Sequence, residues 1–203
     1  GYFEPHGIRW VLEQLSQDDA WTPKFEGGHL IALHKANGAN ITLEPGGQVE
    51  LSGAPHRTLT ELADEMQANR QDLLRLCADK DAVWIAAGLT PITPIADIPW
   101  VPKGRYEIMK KYLPQRGDLA TYMMKGTCSV QANFDFSSED DCARKVRLSS
   151  GLAPLTTAIF SNSPLLENRP TGFKSYRGHI WTRTDPDRTG FPPGLRSAYS
   201  HEK

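Results

Sequence analysis

Ile8, Val11, Leu12 and Leu15 repeat at the period of a helix, so residues 6–16 are expected to form an amphipathic one. A loop carrying Trp21 and Pro23 follows. Residues 29–35 and 40–51 then read as two strands, with Asn37-Gly38 as the hairpin signal between them. Thr58 with Glu61 has the form of a capping box. It precedes Leu59, Leu62, Met66, Leu73 and Leu76, which mark a helix to about residue 79. Residues 83–89 are a short apolar run of the kind that makes a buried strand. Pro91, Pro94, Pro99 and Pro102 then deny regular structure over residues 90–103, a loop long enough to suggest function. Short helices are expected at 106–112 and 118–124.

Residues 127–136 alternate strictly. Cys128, Val130, Ala132, Phe134 and Phe136 share one face of the expected strand, and Ser129, Gln131, Asn133 and Asp135 share the other. Ser137 can cap the next helix, whose first turn holds Glu139, Asp140 and Asp141, where the helix dipole favours acids. Gly151 and Pro154 should kink or restart that helix. Residues 173–181 read as a strand or an irregular segment. Beyond Asp185 the chain is rich in Pro, Gly and charge and reads as an unpacked tail. Strands and helices mix without a βαβ rhythm, which argues for an α+β fold with an antiparallel sheet.

Composition adds mostly exclusions. The 203 residues suffice for one sizeable core or two small ones. A net charge of −1 gives no electrostatic reason to expect nucleic acid or an anionic membrane as partner. No apolar run approaches the roughly 20 residues that cross a bilayer. The chain does not begin with Met. Cys77, Cys128 and Cys142 cannot all pair within one chain, and no Cys-x-x-Cys occurs. Three free thiols, with Cys128 buried, and a cytoplasmic location are expected. Walker-type loops, Gly-x-Ser-x-Gly elbows and His-Glu-x-x-His motifs are absent from the sequence.

Four segments can carry chemistry. In residues 44–55, Glu44, Gln48 and Glu50 share a face of a regular strand, with the two acids roughly 20 Å apart. Pro45-Gly46-Gly47 argues against a regular strand. Either the segment is a solvated hairpin with two surface acids, or a bulge gathers the carboxylates around magnesium and phosphate. Lys103 and Arg105 flank Gly104 in a basic loop that is either solvated or grips an anion. Gln131 and Asn133 lie on the polar face of the 127–136 strand, either wet or orienting a substrate. Arg177 can meet a carboxylate or stabilise charge during phosphoryl transfer. His179 can bond phosphate or serve structure. Asp185, Asp187 and Arg188 read as a polar turn.

Taken in order, segments 44–55, 102–110, 127–136 and 175–181, continued by 185–190, resemble the plant-type glutamate–cysteine ligase family, a type also found in bacteria. The run Glu-Pro-Gly-Gly-Gln-x-Glu-Leu-Ser-Gly-Ala-Pro is the most specific part. The resemblance covers most of residues 1–191. It implies a glutamine-synthetase-like fold with a curved antiparallel sheet and flanking helices. It also implies ATP and Mg2+ as cofactors, and glutamate, cysteine and ATP as substrates. Glutamate would be phosphorylated on its side chain and attacked by the cysteine amine to give γ-glutamylcysteine for glutathione. Glu44 and Glu50 would be metal ligands, with Gln48 in support. Arg105 and Arg177 would be catalytic and substrate-binding, with Gln131, Asn133 and Lys103 lining the substrate pocket. The family's acidic strand upstream is not in this sequence, and residues 192–203 diverge as a tail, so the chain reads as a fragment. The plant regulatory cysteines find no match. The alternatives are a ligase with another amine acceptor and an inactive binding fragment.

Overall fold

Val11, Leu12 and Leu15 are buried on helix α1 (Ile8–Leu15), as their spacing requires. In the computed structural model, which describes residues 1–80 and 82–190, α1 packs on a four-stranded antiparallel meander. Its strands run in order: β1 (Thr22–Glu26), β2 (His29–His34), β3 (Asn40–Leu43) and β4 (Val49–Ser52). Strand β2 is internal, and Leu30, Ile31, Ala32 and Leu33 are all buried on it. Leu33 lies opposite Ile41, Ile41 opposite Leu51, and Leu43 opposite Val49. These cross-strand apolar pairs fix the register, because a slip of one residue would turn each to the wrong face. Tyr2, Trp21, Val101 and Tyr106 complete this core. Helix α2 (Leu59–Cys77) starts at the expected capping box. Thr58 accepts from the Glu61 N–H, and Glu61 accepts from the Thr58 N–H.

Two elements of this unit differ from expectation. Residues 22–26 form a strand where a loop was read. Every residue of β1 is exposed, so no apolar alternation marks it, and Pro23 is tolerated because β1 is an edge. Residues 40–51 form two strands rather than one, folded back at Pro45-Gly46-Gly47.

The chain divides into two units. Of the described residues, the first holds 1–80, 82–86, 95–111 and 124–126, and the second holds 87–94, 112–123 and 127–190. Helix α3 (Gly104–Tyr112) lies almost wholly in the first, and α4 (Ala120–Gly126) contributes its last three residues to it. The second contains α5 (Glu139–Ile159), the short hairpin β5 (Leu165–Leu166) and β6 (Arg169–Pro170), and α6 (Tyr176–Trp181).

Several expectations for the second unit are corrected. Residues 127–136 form no ladder among the described residues. A single bridge, Leu89 with Thr127, and a bond from the Cys128 N–H to the Gly88 carbonyl are their pairing to residues 88 and 89. Val130, Phe134 and Phe136 are exposed, and so is Cys128, which was expected to be buried. Alternation specifies which face a strand would bury, but a strand also needs a neighbour for its N–H and C=O groups. The 83–89 run is likewise no strand. Val83 and Ile85 are exposed and only Leu89 is buried. Helix α5 continues through Gly151 and Pro154, and its cap is Ser138 rather than Ser137. Residues 176–181 are helical, not extended. Residues 185–190 are anchored rather than tail-like. Asp185 is 1% exposed, accepts from Arg188 Nη1 at 2.5 Å and lies 3.8 Å from Arg116 Nε. The expected boundary at 191 and the tail 192–203 lie outside the described residues. No helix among those described is long and apolar enough to cross a membrane. The mixed α+β class with an antiparallel sheet and flanking helices stands.

Candidate functional site

The hairpin between β3 and β4 brings Glu44 and Glu50 together without the bulge that the sequence suggested. The Glu44 N–H donates to the Gln48 carbonyl at 2.9 Å, and the Gly47 N–H to the Glu44 carbonyl at 2.9 Å. Gly47 takes φ 87°, the left-handed conformation that closes a three-residue hairpin loop at no cost to glycine. Pro45 is buried, and its carbonyl accepts from the Val101 N–H at 2.9 Å. Gln48 pins the loop from within. Its Oε1 accepts from the Gly46 N–H at 2.9 Å, and its Nε2 donates to the Met124 carbonyl at 3.3 Å. Gly46 is itself pressed on α4, where a Cβ would meet the Lys125 carbonyl oxygen at 2.2 Å.

The Glu44 side chain neighbours that of Glu50 across the hairpin, where Glu50 stands opposite Thr42. Burial raises the Glu44 pKa, and the neighbouring Glu50 carboxyl raises it further. Arg105 and Lys103 pull the other way, with Arg105 Nη2 3.7 Å from Glu44 Oε1. Two neighbouring carboxyls disfavour each other's ionisation, and a proton or a cation relieves this.

Helix α3 delivers the cations. Its first N–H, at Gly104, donates to Glu26 Oε1 at 2.5 Å, tying the helix start to the edge strand β1. Tyr106 is buried and donates its hydroxyl to the Leu43 carbonyl, while Arg105 Nη2 donates to that hydroxyl at 3.1 Å. Burial and the nearby Glu44 charge push the Tyr106 phenol up to about 12. Lys103 donates to the Leu43 carbonyl at 3.1 Å, and burial followed by Arg105 lowers its pKa. Burial works against the Arg105 charge, but Tyr106, Glu44 and Glu50 hold its pKa above the usual range. Leu43, the last residue of β3, thus fixes two α3-side groups directly beside Glu44.

Expected residues Glu44, Glu50, Gln48, Lys103 and Arg105 therefore meet in the first unit. Tyr106 and Glu26 belong with them and were missed. Tyr106 was adjacent to the basic motif but reads as an ordinary core aromatic. Glu26 lay in what read as a loop.

The other expected residues belong to the second unit. Gln131 and Asn133 are exposed on the unladdered segment, and Gln131 donates to Ser129 Oγ at 3.1 Å. Arg177, on α6, has its guanidinium 5.6 Å from the Trp181 ring centroid, and its buried Nε has no hydrogen-bond partner among the described residues. Burial lowers the Arg177 pKa, and Cys128 partly offsets this. Its backbone N–H donates to Ser163 Oγ at 3.0 Å. His179 stacks on Phe173, with ring centroids 5.0 Å apart, which gives it a structural contact.

The family model described as Glutamate-cysteine ligase family 2 (GCS2) matches residues 7–202. The chain belongs to glutamate–cysteine ligase family 2. The chloroplastic glutamate–cysteine ligase of Medicago truncatula is 45% identical over 186 residues, covering 92% of this chain and 36% of the relative. That of Arabidopsis thaliana is 44% identical, with 92% and 35% covered. Glutamate–cysteine ligase A of Oryza sativa subsp. japonica is 44% identical, with 92% and 38% covered. The chain therefore spans about a third of the length of these family members. Their names place them in chloroplasts, which overturns the cytoplasmic expectation. Cys77, Cys128 and Cys142 are all free thiols and carry no address.

A divalent cation suits the Glu44–Glu50 pair. Among the described residues no three His, Cys, Asp or Glu side chains converge as a metal cage. Magnesium does not ask for one, since it is commonly held by one or two carboxylates together with substrate phosphates and water.

Proposed function

We propose that this chain contributes to a ligase that joins the side-chain carboxylate of glutamate to the amine of cysteine at the expense of ATP. Family membership supports the reaction class. The observation that carries the reading at residue level is the half-buried Glu44, with Glu50 on the paired strand and Arg105 Nη2 3.7 Å away. Glu44 and Glu50 would hold a magnesium ion, which when bound would neutralise charge on phosphate oxygens. Arg105 faces the same carboxylate and offers its remaining N–H donors to a substrate carboxylate or the transferring phosphoryl group. Lys103 adds a second positive charge to that anion-binding face. Tyr106 orients Arg105 and Gln48 orients the carboxylate hairpin. Arg177 carries a spare buried donor for a substrate anion, and Gln131 and Asn133 offer amides to the substrate.

In this reading the γ-phosphoryl group of ATP passes to the glutamate side chain. The cysteine amine attacks the acyl phosphate, the C–O bond to phosphate breaks, and inorganic phosphate leaves as the amide forms. The test is phosphate release from magnesium-ATP, with glutamate alone, cysteine alone and both. Release that needs both substrates and is lost in Glu44→Gln is the expected result. Equal release with other amines would point to a different acceptor, and release indifferent to Glu44→Gln would remove the carboxylate from the chemistry.

A further inference from the structure

Lys125 sits at the last turn of α4 and is 5% exposed. An ammonium so enclosed needs a counter-charge or a full set of acceptors. Among the described residues its ammonium has one long hydrogen bond, Nζ to the Ala96 carbonyl at 3.4 Å. The same Nζ lies 5.6 Å from the Trp100 ring centroid. A second ammonium, Lys110 Nζ, lies 5.4 Å from that centroid. Among the described residues, neither Lys125 nor Lys110 has a carboxylate within the 4.0 Å of an ion pair. Burial lowers the Lys125 pKa, Lys110 lowers it further, and Asp97 offsets only part. A helix C-terminus and an indole face attract a cation, but they leave N–H donors unused and do nothing for the repulsion between two lysines.

We propose that Lys110, Trp100 and Lys125 form a binding site for a phosphate-class oxyanion, either free phosphate or the phosphate of an ester whose organic part rests on the indole. Two ammoniums beside one ring, near enough to repel one another, offer point-charge donors with no carboxylate partner among the described residues. A tetrahedral dianion has acceptors for both. The site uses none of the carboxylate hairpin's side chains. The Lys125 main chain meets the hairpin at Gly46.

The test is calorimetric titration of the 203-residue chain with inorganic phosphate and, separately, with ATP, both in EDTA so that no divalent cation engages Glu44 and Glu50. Saturable binding is expected, weakened about fivefold or more in Lys125→Met and in Lys110→Gln. Phosphate and ATP of similar affinity identify free oxyanion as the ligand, whereas ATP much tighter than phosphate identifies an ester. Lys110 is on the surface, so Lys110→Gln keeps the test open if Lys125→Met fails to fold. Absence of saturable binding of either probe to the folded wild-type chain overturns the proposal, as does binding undiminished in Lys110→Gln.

Discussion

At the scale of single residues, the site depends on groups that hold the charged ones still. Gly46 is one. Its missing Cβ leaves room for the Lys125 carbonyl, which would otherwise be 2.2 Å away and belongs to a main chain that cannot swing aside. Gly46→Ala is expected to destabilise the first unit by about 1–3 kcal/mol, read by chemical denaturation. It should also loosen the Glu44–Gln48 loop. Tyr106 is another. Its phenol ionises near 10 in an unfolded chain and at about 12 here, because burial and Glu44 disfavour the phenolate. The folded state therefore keeps a proton that the unfolded state releases. The contribution is complete below pH 10 and is lost as pH rises toward 12, costing on the order of 2 kcal/mol of stability. Tyr106→Phe should remove that step from the alkaline stability profile. Neither role was readable in the sequence. A Gly in Pro-Gly-Gly reads as a turn whatever lies behind it, and a Tyr beside Arg reads as core.

At the scale of elements, legibility followed how local the determinants are. The capping box of α2 and the apolar stripe of α1 are written within a few residues and were read correctly. Strand β1 was missed because its residues are exposed on an edge, and residues 127–136 were over-read because alternation cannot say whether a partner strand is present. At Glu44–Glu50 the Pro45-Gly46-Gly47 irregularity was legible, and it proves to be the loop of a hairpin between two strands. Helix α5 illustrates local caps that can be tested. Ser138 accepts from the Asp141 N–H, so Ser138→Ala should cost about 1 kcal/mol of helix stability by thermal melting. The Asp141 carboxylate is bound by Lys145, the Ser137 N–H and Arg144, which hold its pKa well below the usual range. Its contribution is present above the ordinary Asp pKa and disappears as pH falls through the lower folded value. Amide exchange in the first turn of α5 should be faster in Asp141→Asn than in wild type at neutral pH. The two should converge in strong acid.

At the scale of the whole molecule, the first unit has a core that owes little to the site. Leu33 is fully buried at the centre of β2, and Leu33→Ala should cost about 2–5 kcal/mol by denaturant unfolding. The family was legible because its signature spans ordered segments of both units, and the match over residues 7–202 agrees. Compartment was not legible, since it is not encoded in thiol usage. The central claim concerns the carboxylate pair. Water-proton relaxation enhancement of Mn2+–ATP, titrated with the 203-residue chain, reads metal–nucleotide binding directly. Binding by wild type that weakens about tenfold or more in both Glu44→Gln and Glu50→Gln is the predicted result. Enhancement of equal strength in wild type and in both variants would contradict the account.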